Sequence, residues 1–322
     1  MLVDVALLWE WEYDNDFIQI LNNQCVQFGL NCHIIHPYNL EEIEKKMMND
    51  EFAARFFYDR ASDANPNFEP LAQMLLKSGS HPLNDPEKLQ VALDKAAIHH
   101  ELIANGLHVP YTIILSPNRD WTKIKIGELI RLGEPFIIKP AIGGGGVGVE
   151  LYAKTLFDIV KARESKNKER FLLQEKVLPV QFGGRRAWFR VYYICGSTIS
   201  CWWDDNTHIY HRVTPEEEKI YGLDKLADKA MKIAEISGLQ FFSTEVSIVD
   251  RETFVIVDYV NDQCDMRLKS QYADGVPDDV VEEISQCIAQ YFSKSVSLLR
   301  RNLRIAEGTA SEMTRKKDAS II

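Results

Sequence analysis

Short apolar runs alternate with amphipathic segments over the first part of the chain. The stretches VDVALLW, NCHIIHP and RFFYDR are apolar runs of strand length, and helical spacing of apolar side chains separates the first two. Alternation of strands and helices is typical of a parallel sheet covered by helices. The pattern therefore predicts a small parallel α/β domain over residues 1–84.

Strand periodicity takes over in the second half of the chain. The segments WFRVYYICG, TISCWW and HIYHRV alternate in the manner of an antiparallel sheet. FFSTEVSIVD and TFVIVDYVND predict a hairpin that turns near Asp250. A long amphipathic helix is predicted over residues 277–303, and a polar tail follows it.

A lysine and a glycine cluster follow one of the central apolar runs. Residues 135–149 read PFIIKPAIGGGGVGV, and Lys139 ends the apolar part. Glycines let backbone N–H groups approach phosphate oxygens and let a loop close over a nucleotide. A surface hairpin without a ligand is the alternative. The glycines of the loop are Gly143, Gly144, Gly145, Gly146 and Gly148.

The residues after the glycines distinguish this loop from other phosphate-binding loops. A dinucleotide fingerprint needs a helix after its glycines, but VGVELY continues as a strand. A P-loop needs a lysine and a serine or threonine after its last glycine, and Val149 and Glu150 stand there instead. The pattern predicts a strand–glycine loop–strand hairpin.

Composition and charge narrow the classes of partner. The chain has 322 residues, a net charge of −10 and 46% apolar residues, which is ordinary for a globular protein with a core. The acidic balance argues against nucleic acid or a membrane as the partner. The start of the chain lacks a signal-peptide pattern, and the six cysteines form no CxxC pair, so we expect a cytoplasmic protein with reduced thiols. The sequence is compatible with a homo-oligomer.

Five segments resemble, in order, the ATP-grasp superfamily. They are LNDPEKLQVALDKAAIHHELIANGLHVP, PFIIKP with its glycines, LLQEKVLP, RAWFRVYYICG and STEVSIVDRETFVIVDYVND. Together they cover roughly residues 80–265, and they are most similar to RimK-type and D-alanine–D-alanine ligase-like carboxylate–amine ligases. The resemblance implies an α/β (α+β) fold with a Rossmann-like pre-ATP-grasp domain, a mobile lid subdomain and a C-terminal antiparallel-sheet subdomain.

The resemblance also implies domain boundaries. The pre-ATP-grasp domain would cover residues 1–84, the C-terminal subdomain residues 85–120 and 178–305, the lid residues 121–177, and a polar tail residues 306–322.

Carried over to this sequence, the resemblance implies contacts with ATP. Lys95 would contact the α- and β-phosphates, and Lys139 would contact the β-phosphate side or the adenine edge and take part in catalysis. The glycine loop would cover the phosphates, and Arg190 would face the transferred phosphoryl group. The adenine would lie against a hinge formed by Gln174, Glu175, Lys176 and Val177.

Mg²⁺, with Mn²⁺ as an alternative, would be held by Glu245, Asp258 and Asn261. Carboxylates on neighbouring strands suit a hard cation, although solvent-facing carboxylates are the alternative. Asp258 and Asn261 are three positions apart, so a regular strand would place them on opposite faces. Either a β-bulge returns Asn261 to the face of Asp258, or Asp262 or a water takes the third place.

Further polar residues are candidates for substrate contacts. Arg267 follows the metal strand and could bind a substrate carboxylate through a bidentate pair. The pairs Trp9-Glu10 and Asp59-Arg60 end predicted parallel strands, where α/β sheets place ligands. Gln181 is the nearest polar candidate for the ribose hydroxyls.

The function that the resemblance implies is an ATP-dependent carboxylate–amine or carboxylate–thiol ligase. Its substrates would be ATP, a small carboxylate and an amine or thiol, and the reaction would pass through an acyl phosphate. A small-molecule kinase on the same fold and a non-catalytic nucleotide-sensing domain are the alternatives.

Overall fold

Contacts within the chain define two compact units. The computed structural model describes residues 1–117, 124, 126–164 and 168–318, with the backbone alone at residue 126 and over residues 303–318. The first unit combines residues 1–83 with the chain from Val281 onward, and the second is Asn84–Val280. The last helix is thus grouped with the N-terminal elements, whereas the predicted map gave it to the C-terminal subdomain.

Two predicted boundaries touch residues that the structure does not describe. The start of the predicted lid, at residue 121, and the end of the predicted tail, residues 319–322, lie outside the described residues. Within the described part of that tail the backbone is helical as far as Asp318. The helix formers Ala, Glu, Met, Lys and Arg dominate this stretch, which explains why helix continues past the predicted end.

Strands and helices have the following bounds in the described residues. The strands are β1 Leu2–Trp9, β2 Cys32–Ile35, β3 Ala53–Arg60, β4 His81–Leu83, β5 Thr112–Leu115, β6 Phe136–Pro140, β7 Glu150–Ala153, β8 Phe171–Glu175, β9 Gln181–Phe182, β10 Arg185–Arg186, β11 Trp188–Ile194, β12 Ser197–Trp203, β13 Tyr210–Arg212, β14 Phe241–Ile248 and β15 Phe254–Asn261. The helices are α1 Asn15–Gln27, α2 Leu40–Met48, α3 Glu69–Lys77, α4 Pro86–Leu93, α5 Lys95–Ala104, α6 Ile126–Leu132, α7 Leu156–Arg163, α8 Pro215–Tyr221, α9 Lys225–Ser237 and α10 Asp278–Asp318.

The first unit contains the predicted parallel sheet, in the order β2-β1-β3-β4. The central strand β1 is buried along residues 3–8, as a strand covered on both faces requires. Helix α10 adds a buried apolar stripe at helical spacing, formed by Val281, Ile284, Ile288 and Phe292. The predicted α/β organisation of this part of the chain is confirmed.

The second unit contains a four-stranded sheet in the order β5-β8-β6-β7, in which neighbouring strands are antiparallel. Strands β6 and β7 flank the glycine cluster, and Phe136 pairs with Ala153 across them. The predicted strand–loop–strand hairpin is therefore confirmed. Phe136, Ile138 and Phe171 lie in a core beneath this sheet.

A five-stranded antiparallel sheet forms the rest of the second unit, in the order β13-β12-β11-β14-β15. One face is apolar: Phe189, Val191 and Trp202 belong to a core that also takes in side chains of α4, α5 and α9. Because side chains alternate along a strand, the residues between them face the other way. That opposite face carries the polar groups described below. No helix in the described residues is long and apolar enough to cross a membrane.

Candidate active site

The two predicted phosphate lysines lie near the ends of their elements: Lys95 is the first residue of α5, and Lys139 is the last but one of β6. Lys95 opens α5, where its backbone N–H donates to the carbonyl of Ala141 at 2.8 Å and its Nζ donates to the carbonyl of Gly143. Lys139 lies on β6 and is only 7% exposed. Its Nζ donates to the carbonyl of Val257 at 3.2 Å. The start of α5 is therefore tied to the glycine loop, and Lys139 to the edge strand β15.

The predicted arginine and the two carboxylates lie side by side across three strands. Arg190 is paired in register with Glu245, and Glu245 with Asp258. Directly opposite residues of neighbouring strands project to one face, so the three side chains share the polar face of the sheet. Arg190 Nη2 donates to Glu245 Oε1 at 2.6 Å, and Trp188 Nε1 donates to Oε2 at 3.1 Å.

Electrostatic interactions join the lysines and the carboxylates into one site. Burial lowers the pKa of Lys139, Asp258 and Glu245 oppose that shift, and the neighbouring charge of Lys95 adds to it. Burial raises the pKa of Glu245, and the positive charges of Arg190 and Lys139 work against the rise. The pKa of Lys139 therefore responds to Lys95, Asp258 and Glu245, and its amine contacts β15 beside Asp258, so the predicted phosphate lysines and metal carboxylates are neighbours in the fold.

Burial opposes the charge of Arg190 itself. The carboxylate of Glu245, together with Tyr210, Tyr192 and Asp258, outweighs that effect and holds the pKa of Arg190 above its ordinary value. Its guanidinium also lies 4.6 Å from the ring centre of Trp203. Arg190 therefore keeps a fixed positive charge on the polar face.

The pairing of β14 with β15 contains a register irregularity that decides whether Asn261 lies on the same face as Asp258. Glu245 pairs with Asp258 and Ser243 pairs with Asn261, so two steps on β14 correspond to three on β15. A bulge of this kind shifts the alternation by one residue and returns Asn261 to the face of Asp258. Of the two arrangements predicted from the sequence, the structure contains the bulge.

The donor set formed by Glu245, Asp258 and Asn261 fits Mg²⁺ chemically. Two carboxylates and one amide oxygen are hard ligands, and Mg²⁺ ordinarily takes few protein ligands because phosphate and water oxygens complete its shell. The described residues contain no group of three or more His, Cys, Asp or Glu that could hold a metal by themselves. The proposed ligands include only two such residues, Glu245 and Asp258, so they would not form a group of that kind. The role of these residues as ligands stays a prediction.

The hinge residues use their side chains inside the protein. Gln174 donates to Thr112 Oγ1 at 2.9 Å and to the hydroxyl of Tyr259 at 2.8 Å. Glu175 accepts the backbone N–H of Tyr111 at 2.8 Å. Neither side chain is directed to a ligand by these bonds.

The last two hinge residues leave their backbone available. Lys176 Nζ lies 4.2 Å from the ring centre of Tyr152, and Val177 packs in a small cluster with Trp188. In the described part of the chain, no hydrogen bond engages the backbone N–H of Lys176 or Val177. Contacts with an adenine edge would therefore come from backbone groups of the hinge.

Glycine is required at several positions of the loop. Gly143, Gly145, Gly146 and Gly148 have φ values of 114°, 60°, 72° and 77°, which residues with a Cβ rarely adopt. A Cβ at Gly148 would also lie 3.1 Å from Cγ of Pro140. The loop conformation therefore depends on these glycines, as a cover that approaches phosphates closely would need.

Arg267 already has two partners. Its guanidinium donates to both carboxylate oxygens of Asp265, at 3.0 and 2.8 Å, and to both of Asp274, at 3.2 and 3.0 Å. These hydrogen bonds, with Asp265 first, raise the pKa of Arg267. A substrate carboxylate would have to displace one of these aspartates, so the predicted role of Arg267 has no support from this arrangement.

Two of the strand-end candidates of the first unit, Asp59 and Arg60, have hydrogen-bond partners within that unit. Arg60 is buried and donates to both carboxylate oxygens of Asp14, at 2.7 and 2.8 Å. Asp59 accepts the backbone N–H groups of the two turn residues that follow Arg60. By contrast, Trp9 Nε1 and Glu10 Oε2 are buried and have no hydrogen-bond partner among the residues that the structure describes. Gln181 lies on the short strand β9 of the second unit, paired with Arg186.

Three residues of the site escaped the sequence prediction. Trp188 holds Glu245 and stands two positions before Arg190, so strand alternation could have placed it on the same face. His99 stands one helical turn after Lys95, and its ring nitrogen lies 2.6 Å from the hydroxyl of Tyr259. No local pattern connects Tyr259 with residues that are 85 and 160 positions away in the chain.

Comparison with known proteins gives matches in structure but not in sequence. No protein-family model matches the chain, and no curated protein matches it. A D-alanine–D-alanine ligase from Bacillus anthracis, crystallised with ATP, has a TM-score of 0.61 at 14% identity, covering 93% of this chain and 99% of that one. A RimK-domain ATP-grasp protein from Sphaerobacter thermophilus has a TM-score of 0.59 at 19% identity, covering 89% and 98%.

A third similar structure is the ATP-grasp ligase PsnB, complexed with a minimal precursor, Mg and ADP. Its TM-score is 0.58 at 14% identity, and the match covers 89% of this chain and 98% of that chain. Similarity at these identities establishes the fold and leaves the activity to be argued from the site. The mixed parallel and antiparallel sheets, the glycine hairpin and these matches agree: the chain has the ATP-grasp fold.

Proposed function

We propose that this protein is an ATP-dependent ligase that activates a carboxylate as an acyl phosphate and transfers the acyl group to an amine or thiol. The observation that carries the proposal is the grouping of charged side chains around Lys139: its amine contacts β15 beside Asp258, Lys95 and Glu245 act on its pKa, and Arg190 is paired in register with Glu245. Similar structures include ligases crystallised with ATP or with Mg and ADP, which supports the same class of reaction.

The charges of these residues match the demands of phosphoryl transfer. As a carboxylate oxygen attacks the γ-phosphorus, the bond to ADP breaks and negative charge spreads over the transferred group. Lys139 is held in place beforehand by the carbonyl of Val257, so it can stabilise that charge without reorganising solvent. Arg190, on the face of Glu245, would add a second positive charge. Mg²⁺, held by Glu245, Asp258 and Asn261, would add further neutralisation when bound.

The second half of the proposed reaction needs protection from water. An amine or thiol attacks the acyl carbon, phosphate leaves, and the nucleophile loses its proton. Because an acyl phosphate hydrolyses in water, the site must close before the intermediate forms. The hairpin β6–β7 is suited to that closure, since its loop carries four glycines with positive φ and is anchored at one end to Lys95.

Hydroxylamine trapping tests the proposal. The protein is incubated with ATP, Mg²⁺, hydroxylamine and a panel of small carboxylic acids, and hydroxamate and phosphate are measured. We expect hydroxamate with at least one acid, dependent on ATP and absent in a Lys139→Ala variant. ATP consumption with a phosphorylated product and no hydroxamate would support a kinase instead. ATP binding without turnover, unchanged in Asp258→Ala, would support nucleotide sensing.

A further inference from the structure

One buried tyrosine connects four elements that carry proposed nucleotide-binding residues. Tyr259 follows Asp258 on β15 and is fully buried. Its hydroxyl accepts a hydrogen bond from Gln174 Nε2 at 2.8 Å and lies 2.6 Å from Nδ1 of His99. Lys139 Nζ lies 5.1 Å from the centre of its ring. The side chain therefore joins the metal strand, the hinge strand, the helix of Lys95 and the strand of Lys139.

The hydrogen bonds around Tyr259 run in one direction. The hydroxyl of Thr112 donates to the carbonyl of Pro110 at 2.8 Å, so the bond between Thr112 and Gln174 must be donated by the Gln174 amide. That amide uses its other hydrogen on the oxygen of Tyr259. The tyrosine hydroxyl then keeps one hydrogen, and Nδ1 of His99 is its acceptor.

The environment of His99 agrees with this direction. Burial, followed by the charges of His100 and Lys139, lowers the pKa of His99 to about 4. The imidazole is therefore neutral at physiological pH, so one ring nitrogen has a free lone pair, and we assign that lone pair to Nδ1, which faces the hydroxyl of Tyr259. A neutral His99 accepts from Tyr259 and places no second positive charge beside Lys139.

We infer that Tyr259 is a positioning residue: its hydroxyl holds α5, β8 and β15 at the spacing in which Lys95, the hinge and Asp258 can bind one nucleotide. The inference rests on the proposed function. His99 is one helical turn from Lys95, Gln174 precedes the hinge backbone, and Tyr259 adjoins Asp258. The side chain belongs to the apolar core and its ring lies next to Lys139, so it acts on nucleotide binding through its neighbours.

A pair of tyrosine variants tests the inference. Tyr259→Phe keeps the ring below Lys139 but leaves a buried amide hydrogen and a buried imidazole nitrogen without partners. Tyr192→Phe is the matched control, because the Tyr192 hydroxyl is equally buried in the same sheet and has no hydrogen-bond partner within the described part of the chain. We expect Tyr259→Phe to raise the Kd and KM for ATP about 10-fold with kcat at saturating ATP within about 3-fold, and Tyr192→Phe to leave the Kd within about 2-fold.

A second pair of variants at His99 keeps the test decisive if Tyr259→Phe folds poorly. His99→Asn offers an oxygen near the position of Nδ1, whereas His99→Leu offers no acceptor. The asparagine variant should keep an ATP affinity within about 3-fold of the wild type, and the leucine variant should bind ATP about 10-fold more weakly. In the wild-type protein, ¹⁵N NMR should show the imidazole proton of His99 on Nε2.

Several results would overturn the inference. They are an unchanged ATP affinity in Tyr259→Phe with a lowered melting temperature, a fall in kcat with an unchanged KM, or equal affinity in the two His99 variants. Failure of the proposed function is seen separately, because the wild-type protein would then give no hydroxamate in the trapping experiment, whereas the Kd for ATP of the variants is measured without turnover.

Discussion

At the scale of single residues, Lys139 carries its charge in a buried position, next to the ring of Tyr259 and a backbone carbonyl. Removing the amine in Lys139→Ala deletes one cation from the proposed phosphate site and relieves a desolvated charge. We expect turnover to fall on the order of 100- to 1,000-fold. Circular dichroism and the melting temperature should stay close to the wild type. Lys161→Ala, at an exposed position of α7, is the control, and wild-type turnover in Lys139→Ala would refute the assignment.

The lowered pKa of Lys139 has a consequence for nucleotide binding. Burial, with a contribution from Lys95, makes this ammonium lose its proton at a lower pH than an ordinary lysine. ATP needs the charged form, and bound phosphate stabilises it, so ATP affinity should fall as the pH rises towards the lowered pKa. Calorimetric titrations from neutral to alkaline pH measure this fall. Lys139→Arg keeps its charge and should flatten the dependence; equal slopes in the two proteins would contradict the role of Lys139.

The ion pair between Arg190 and Glu245 links metal binding to phosphate binding. Glu245 is a proposed ligand of Mg²⁺, and Arg190 is proposed to face the transferred phosphoryl group, so binding of Mg·ATP would separate the two side chains. Binding of Mg²⁺ to Glu245 would then free Arg190 for phosphate, and binding of phosphate to Arg190 would free Glu245 for Mg²⁺. Glu245→Gln should weaken the ion pair, tighten metal-free ATP binding by about 3- to 10-fold and remove most of the Mg²⁺ enhancement. Dissociation constants with Mg²⁺ and with a chelator give both quantities. Glu252→Gln, exposed in the β14–β15 turn, is the control, and an undiminished Mg²⁺ effect in Glu245→Gln would contradict the prediction.

At the scale of elements, the hairpin β6–β7 depends on backbone conformations that only glycine adopts easily. Gly148 combines a φ of 77° with a close approach to Pro140, whereas Gly144 has no positive φ and open space where a Cβ would lie. Gly148→Ala should therefore distort the loop and reduce ATP-dependent turnover about 10-fold or more, and Gly144→Ala should stay within about 2-fold. Steady-state kinetics of the two variants measure this difference in turnover. Equal activities would show that the loop conformation does not matter for turnover.

Elements with a local cause could be predicted from the sequence. The hairpin around the glycines and the helix that opens at Lys95 follow from periodicity and capping, since Asp94 accepts the N–H groups of Ala96 and Ala97. The side-chain partners of Gln174 could not be predicted, because the fold brings them from distant strands.

The placement of Asn261 shows the same limit. Whether this residue shares a face with Asp258 depends on a bulge that forms only when β15 pairs with β14. The pairs of Arg267 with Asp265 and Asp274 likewise depend on how the chain folds back after β15. Periodicity indicates which residues form a strand, but the choice between a ligand and an internal partner is made by tertiary pairing.

At the scale of the whole molecule, the charge of the candidate site opposes the charge of the chain. The protein carries a net charge of −10, yet Lys95, Lys139 and Arg190 converge where the proposed phosphates would bind. Two carboxylates stand among them, which is the arrangement that a metal–nucleotide complex requires and that a plain anion site does not. The central claim is therefore that these groups bind a single Mg·ATP.

A crystal structure of the protein with Mg²⁺ and a non-hydrolysable ATP analogue tests that claim most directly. We expect phosphate oxygens in contact with Lys95 and Lys139, the metal on Glu245 and Asp258, and the glycine loop over the phosphates. A nucleotide bound elsewhere, or phosphates in contact with neither lysine, would contradict it.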